Sequence, residues 1–208
     1  MPSPLRIYLI RHGETELNAA RVLQPPATPL SGRGMAQAER LAARLASAGL
    51  AQILVSDLRR AEMTAEAIER RTGAPVECDP ELAERNFGEL RGRPYATLGL
   101  DPFAPGYTPP GGESWEVFHA RVERAWQRVD TAARGADSPI AVVTHGLVCH
   151  SVVTRLAELA PGLTLEGLRW RNTSLSVLEA VPEAGAAWRV TLLDDVAHLD
   201  EVGEGGRA

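Results

Sequence analysis

Along this chain, short apolar runs alternate with segments whose apolar residues recur every three or four positions. Leu5 to Ile10 is nearly continuous in apolar character, the pattern of a strand covered on both faces in a parallel sheet. A polar loop follows. From Ser31, a residue suited to cap a helix, Met35, Ala38, Leu41, Ala42 and Leu45 fall on one helical stripe that Gly49 stops. Ile53-Leu54-Val55 reads as a second strand, and Ser56 or Asp57 opens a helix through Ala61, Thr64, Ala65 and Ile68 toward Gly73. Pro75 to Cys78 reads as a third strand. Asp79 to Gly112, rich in Gly and Pro, reads as an irregular excursion, and one of that length is uncommon unless it is functional. Ser114 to about Arg134 is then a helix whose stripe is Trp115, Phe118, Val122, Ala125, Trp126 and Val129, with the tryptophans expected in the core. The strand Ile140 to Thr144 precedes a helix through Val148, Val152, Leu156 and Leu159, stopping before Pro161-Gly162. Leu175 to Leu178 and Arg189 to Leu193 close the sheet. The alternation predicts an α/β fold, a three-layer α/β/α sandwich with a mostly parallel central sheet. Residues 1–202 are expected to form a single domain and 203–208 a disordered tail.

Two of the strands end in the same dipeptide, Arg11-His12-Gly13 and Thr144-His145-Gly146. In an open α/β sheet the carboxyl ends of the strands border the ligand crevice, so two imidazoles launched from that edge can converge although they lie far apart in sequence. The net charge of −5 provides no global positive field for a nucleic acid, and no run approaches the length of a membrane span. All basic residues are arginine, so a phosphate-loop lysine, a Schiff base and a lysine general base are excluded. Cys78 and Cys149 fit neither a disulfide framework nor a zinc spacing and read as core residues of a protein in a reducing compartment. With Met1 to Pro4 leading straight into the first strand, the expected location is cytoplasmic.

Arg11-His12-Gly13-Glu14-Thr15 followed by Asn18 resembles the signature of the histidine phosphatase superfamily, which includes the cofactor-dependent phosphoglycerate mutases. The likeness continues through Ser56-Asp57-Leu58-Arg59-Arg60-Ala61 with Thr64-Ala65, through Leu82-Ala83-Glu84-Arg85-Asn86-Phe87-Gly88, and through Thr144-His145-Gly146. Short motifs arise by chance, but here order, spacing and strand-end placement agree. The resemblance implies a phosphoglycerate mutase-like fold and a catalytic set of His12, Arg11, Arg59, Glu84 and His145. It also implies substrate contacts from Asn18, Thr15, Gly146 and, through a Gly112-Glu113-Ser114 element, Glu113.

These residue types suit phosphoryl transfer. Arginine forks at positions 11 and 59 would neutralise nonbridging oxygens. An imidazole is a competent nucleophile near neutral pH when its other nitrogen donates to a fixed acceptor. The residues alone do not tell the two histidines apart; the resemblance gives the nucleophile to His12 and makes His145 a donor to the phosphoryl oxygens that must keep its proton. Glu84 is the candidate general acid for the leaving alkoxide and base for the incoming water. No metal and no cofactor are expected, since the histidines lack close ligand spacing. His119, His150 and His198 read as structural.

Family mutases must also grip a carboxylate, and between Gly92 and Ser114 the chain offers only Arg93 as a cation, without the paired arginines of the mutase segment. The preferred expectation is therefore a metal-independent phosphomonoesterase acting through phosphohistidine on a small-molecule phosphate ester. The alternatives are a phosphoglycerate mutase or related phosphotransferase, and a noncatalytic phosphate-binding protein. After Asn18 the chain departs from the family, with Pro25-Pro26 in place of a glycine element and Ala27 where an Asp stands before Pro29-Leu30, which alters the pocket rim more than the chemistry. The Arg93 to Gly112 excursion is expected to cover the carboxyl edge of the sheet. The sequence leaves open a homodimer or a monomer.

Overall fold

The computed structural model describes residues 5–181 and 187–199, and the expected tail at 203–208 lies outside the described residues. Seven strands form one sheet: β1 (Arg6–Arg11), β2 (Gln52–Val55), β3 (Val76–Cys78), β4 (Ile140–Thr144), β5 (Glu158–Leu159), β6 (Leu175–Ala180) and β7 (Trp188–Asp195), in the order β3-β2-β4-β1-β6-β7-β5. The β3-β2-β4-β1 half and the β7-β5 pair are parallel, and β6 runs against its neighbours β1 and β7. The helices are α1 (Glu16–Ala19), α2 (Gly32–Leu45), α3 (Arg59–Thr72), α4 (Trp115–Gly135) and α5 (Gly146–Arg155).

Helices cover both faces of the sheet, which explains why its central strands read as unbroken apolar runs. On one face Ile7, Leu9, Ile140 and Val142 pack with Phe118, Val122 and Trp126 of α4 and with Val148 and Val152 of α5. On the other, Ile10, Ala141, Val143, Ile53 and Val55 pack with Leu41 and Leu45 of α2 and with Ala61, Ala65 and Ile68 of α3. Each residue of β4 therefore faces protein, the odd and even positions on opposite layers. The fold is the expected three-layer α/β/α sandwich with a mostly parallel sheet.

Several local readings are corrected. The segment after β1 is not all loop: Thr15 caps the short α1 by accepting the Asn18 N–H, while Asn18 Oδ1 accepts the Thr15 N–H. Helix α3 starts at Arg59 rather than near Ser56, because Leu58 is extended (φ −86°, ψ 129°) and takes the N-cap position. Helix α5 ends at Arg155, and Glu158–Leu159 instead pair with Arg189 and Val190 of β7, a tertiary pairing that overrides the helical period. Cys149 is buried, but Cys78 lies exposed on the edge strand β3. Trp126 is buried beside Trp188, whereas Trp115 is only partly buried. Among the described residues no helix is long and apolar enough to cross a membrane.

The Asp79–Gly112 excursion contains three single turns of 3-10 helix, Pro80–Leu82, Gly88–Leu90 and Tyr95–Thr97. It is held by Arg85, which is 2% exposed. The Arg85 guanidinium donates to Pro102 O at 3.1 Å and to Glu113 O at 2.9 and 3.1 Å, and also to Tyr107 O. It sits over the Trp115 ring at 4.0 Å. With the excursion gathered in this way, Phe87, Leu90, Tyr95 and Phe103 close on Leu23 as a separate apolar cluster.

Candidate active site

His12 and His145 stand one residue beyond the ends of β1 and β4, and the ladder between those strands sets how they meet. Arg11 pairs in register with Thr144, and the His12 N–H donates to Thr144 O at 2.9 Å. The two rings lie with centroids 5.0 Å apart, tilted by 57°. From the other side, the Thr173 N–H and Asn172 Nδ2 each donate to His12 O at 3.2 Å.

His12 Nδ1 is 2.7 Å from Gly13 O, which can only accept, so the ring proton resides on Nδ1. Nε2 is then unprotonated, and its lone pair accepts the Arg60 Nε–H at 3.2 Å. Burial, reinforced by the charges of Arg60 and Arg11, pushes the His12 pKa well below the ordinary imidazole value. His145 Nε2 is 2.8 Å from Ser56 Oγ. Ser56 Oγ also accepts the Leu58 N–H at 3.3 Å and keeps both a proton and a lone pair with which to meet His145 Nε2. The Nδ1 of His145 is buried without a hydrogen-bond partner among the described residues. Burial, then Arg60, His12 and Arg11, pushes the pKa of this imidazole well below its ordinary value as well.

The neighbouring arginines Arg59 and Arg60 go opposite ways. Arg59, named from the sequence for the phosphate clamp, is exposed and pairs with Glu62 at 3.3 Å and Glu66 at 2.6 Å on the outer face of α3. Arg60 is the one turned to His12, 2% exposed, with Nη1 donating to Pro25 O at 3.4 Å. Helical phase decides this. Arg60 shares its face with the buried Thr64, whose Oγ1 accepts the Gly13 N–H at 3.1 Å. The signal was present in the chain: glutamates three and seven residues after Arg59 mark a solvent face. Burial pushes the Arg60 pKa down to about 10, which leaves it a cation at neutral pH.

Arg11 donates from Nη1 to Trp170 O, and its buried Nε has no partner among the described residues. Trp170 itself holds φ at +49°, a left-handed conformation that a bulky residue adopts only under tertiary constraint. Glu84 is held by two backbone donors, Arg85 N–H to Oε1 at 3.1 Å and Leu147 N–H, in the first turn of α5, to Oε2 at 3.3 Å. Burial nevertheless raises its pKa above the usual carboxylate value, against the opposing pull of those N–H groups and of Arg60 and Arg11.

Most of these groups meet at one cleft, whose lining does not include the fully buried His145. Arg11, His12, Asn18, Gln24, Arg60 and Glu84 line it together with Pro26, Arg91 and the aromatic roof of Phe87, Tyr95 and Phe103. Of the expected substrate contacts only Asn18 lines it. Thr15 is buried behind, donating to Gln24 Oε1 at 2.8 Å, and Gly146 opens α5, where a Cβ would stand 3.7 Å from Arg11 Nε. Glu113 is turned away, binding Arg121 at 2.8 Å and the Asn86 N–H at 2.8 Å. Arg60, Gln24, Arg91, Trp170 and Asn172 were given no site role from the sequence, and Trp170 and Asn172 carry no local signal because the β5–β6 connection reaches His12 only in three dimensions. His119 bonds Ser151 Oγ at 2.9 Å, and neither it nor His150 or His198 lines the cleft.

Comparison with known proteins identifies the family. The family model of the histidine phosphatase superfamily (branch 1) matches residues 7–195. A "Probable phosphoglycerate mutase GpmB" from Serratia proteamaculans is 34% identical over 94% of this chain and 95% of its own length. Among solved structures, the α-ribazole phosphatase from Shigella flexneri is 27% identical with a TM-score of 0.77, over 92% of this chain and 97% of that one. A mycobacterial glucosyl-3-phosphoglycerate phosphatase in complex with VO3 has the same identity, 27%, and TM-score, 0.77, over 92% and 99% of the two chains. With a family model spanning nearly its whole length, this chain is an enzyme of the histidine phosphatase superfamily, branch 1.

Proposed function

We propose that the chain is a phosphomonoester hydrolase that works through a phosphohistidine on His12. The observation that carries this reading is the state of that imidazole: Nδ1–H pinned to Gly13 O, Nε2 unprotonated, and an arginine N–H marking where an anion would approach. As the Arg60 N–H turns from Nε2 to the phosphoryl oxygens, the freed lone pair attacks phosphorus, and the N–P bond forms as the bond to the alcohol oxygen breaks. Arg11 and Arg60, the latter in place of Arg59, neutralise the nonbridging oxygens, and His145, in the tautomer with its proton on the unpartnered Nδ1, donates to one of them. Glu84, with its raised pKa, gives its proton to the departing alkoxide; its carboxylate then takes a proton from the water that cleaves the N–P bond, which releases inorganic phosphate. Two guanidinium groups supply the cationic charge, so the reaction is proposed to run without a metal ion.

The test is a panel of phosphate esters assayed with excess chelator. Release of inorganic phosphate from an aryl phosphate, abolished in His12→Ala, supports the reading; activity that disappears with chelator contradicts its metal independence. The names of the curated relatives favour a second reading, a phosphoglycerate mutase. Primer-dependent isomerisation of phosphoglycerate without phosphate release would establish that instead.

A further inference from the structure

The segment from Trp170 to Ser174, which leads into β6, grips the two residues on which the proposed chemistry turns, although none of its residues lines the cleft. Trp170 O accepts Arg11 Nη1, and Ser174 O accepts the Arg11 N–H at 3.2 Å. Asn172 Nδ2 and the Thr173 N–H both donate to His12 O, each at 3.2 Å. Trp170 O is the one acceptor of the Arg11 guanidinium among the described residues.

The path of this segment is not one that its residues choose locally. Trp170 and Thr173 stand at φ +49° and +55°, a region that large or β-branched side chains enter only where their surroundings leave no alternative. The constraint comes from β7. Asp194 lies in a bulge of that strand, between the cross-strand pairs Leu175–Asp195 and Val177–Leu192, and is itself at φ +48°. It is buried, and its Oδ1 accepts the Arg171 N–H at 2.9 Å while its main-chain O accepts Arg171 Nη2. Its own N–H donates to Ser176 Oγ at 3.0 Å. The Arg171 N–H and Trp170 O belong to one peptide group, which is planar, so the carboxylate that holds the N–H end also directs the carbonyl end. Without that acceptor the peptide is free to turn, and the Arg11 guanidinium loses its hold.

We propose that Asp194 is a positioning residue for the phosphoryl site: by fixing the peptide between Trp170 and Arg171 it aims that carbonyl at Arg11 and sets the guanidinium where phosphoryl oxygens are to be met. The inference rests on the role given above to Arg11.

The experiment compares Asp194→Asn and Asp194→Gly in the full chain, reading kcat/KM on p-nitrophenyl phosphate and the Kd of orthovanadate by fluorescence titration. Asparagine keeps an acceptor for the Arg171 N–H and tolerates positive φ, so Asp194→Asn is expected within about threefold of wild type on both readouts. Glycine tolerates the same φ but accepts nothing, so Asp194→Gly is expected to lose about tenfold on both, the scale of one weakened charge-assisted hydrogen bond. The loss must run through Arg11: in an Arg11→Lys background Asp194→Gly should cost less than about twofold. Should Asp194→Gly fail to fold, Ser176→Ala, which loosens Asp194 without touching its carboxylate, should lose about threefold, again only when Arg11 is present. Wild-type behaviour in Asp194→Gly, equal losses in the Asn and Gly variants, or losses that add to that of Arg11→Lys overturn the proposal. Turnover that stays flat across the Asp194 variants removes only the positioning role. Vanadate affinities that follow the expected order without any turnover in the wild type remove only the hydrolase.

Discussion

At the scale of single residues, the fate of two adjacent arginines shows what a sequence motif does and does not specify. Both stand in the segment that resembles the family, and only the phase of α3 separates the one bonded to His12 from the one bonded to Glu62 and Glu66. Arg60→Gln is expected to lower kcat/KM by about a hundredfold or more, the scale of a lost transition-state donor, and Arg59→Gln by less than about threefold, as for a surface ion pair. Steady-state kinetics on one aryl phosphate decide it; comparable losses in both variants would mean that the clamp is shared. The titrating pair gives a second test. His12 is held below its ordinary pKa and must be unprotonated, while Glu84 is held above its own and must be protonated for the first step. The pH profile of kcat/KM should therefore keep activity below the usual imidazole range and fall on the alkaline side as Glu84 ionises. Glu84→Gln should abolish that alkaline limb, and its persistence would remove Glu84 from the acid role. The imidazoles, Arg11 and Glu84 were legible because each stands in a motif beside a recognisable strand or turn. Arg60 was half-legible, through the helical spacing of its neighbour's glutamates.

At the scale of elements, the strands of the parallel half were readable because helices cover both faces, so that every position of β4 had to be apolar or nearly so. The short elements were not. Glu158–Leu159 becomes a strand only because Arg189 and Val190 lie beside it, and Glu16–Ala19 is a single capped turn too brief to show a period. The excursion from Asp79 to Gly112 was legible as functional and irregular, but its shape depends on one side chain reaching carbonyls between 17 and 28 residues away, a contact that no local pattern announces. Arg85→Met should therefore destabilise the protein by about 3 kcal/mol in urea denaturation, since buried carbonyls lose charged donors. It should also raise KM by displacing the roof. Gly88 gives an independent check: it sits at φ +51°, and a Cβ there would stand 2.1 Å from Pro110 O. Gly88→Ala must shift one stretch of backbone against another, with the same direction of effect on KM. Wild-type stability and KM in both variants would show that the roof does not depend on this contact.

At the scale of the whole molecule, burying two neutral imidazoles against arginine charge ties folding to acidity. His12 and His145 have pKa values below those of the unfolded chain, so the unfolded state binds more protons as pH falls below the ordinary imidazole value, and stability is lost in that direction. Each ring contributes a slope of up to about 1.4 kcal/mol per pH unit below pH ~6.5. Glu84 acts oppositely: its raised pKa removes stability as pH rises from the unfolded carboxylate value toward its folded one. Urea titrations at pH 7 and at mildly acidic pH should show the wild type weakening and His145→Gln weakening less; identical slopes would mean that His145 is not held neutral. The layered architecture was legible in full from the periodicities, whereas the distribution of charge inside the cleft became visible only once three distant segments were brought together. The floor of that cleft is set by the main-chain ladder between β1 and β4, while its ceiling hangs from one guanidinium. Glu84 excepted, the groups proposed for the chemistry thus belong to the floor, and exchanging residues 86–112 for a foreign stretch, with Glu84 and Arg85 kept, should transplant substrate preference onto an unchanged reaction.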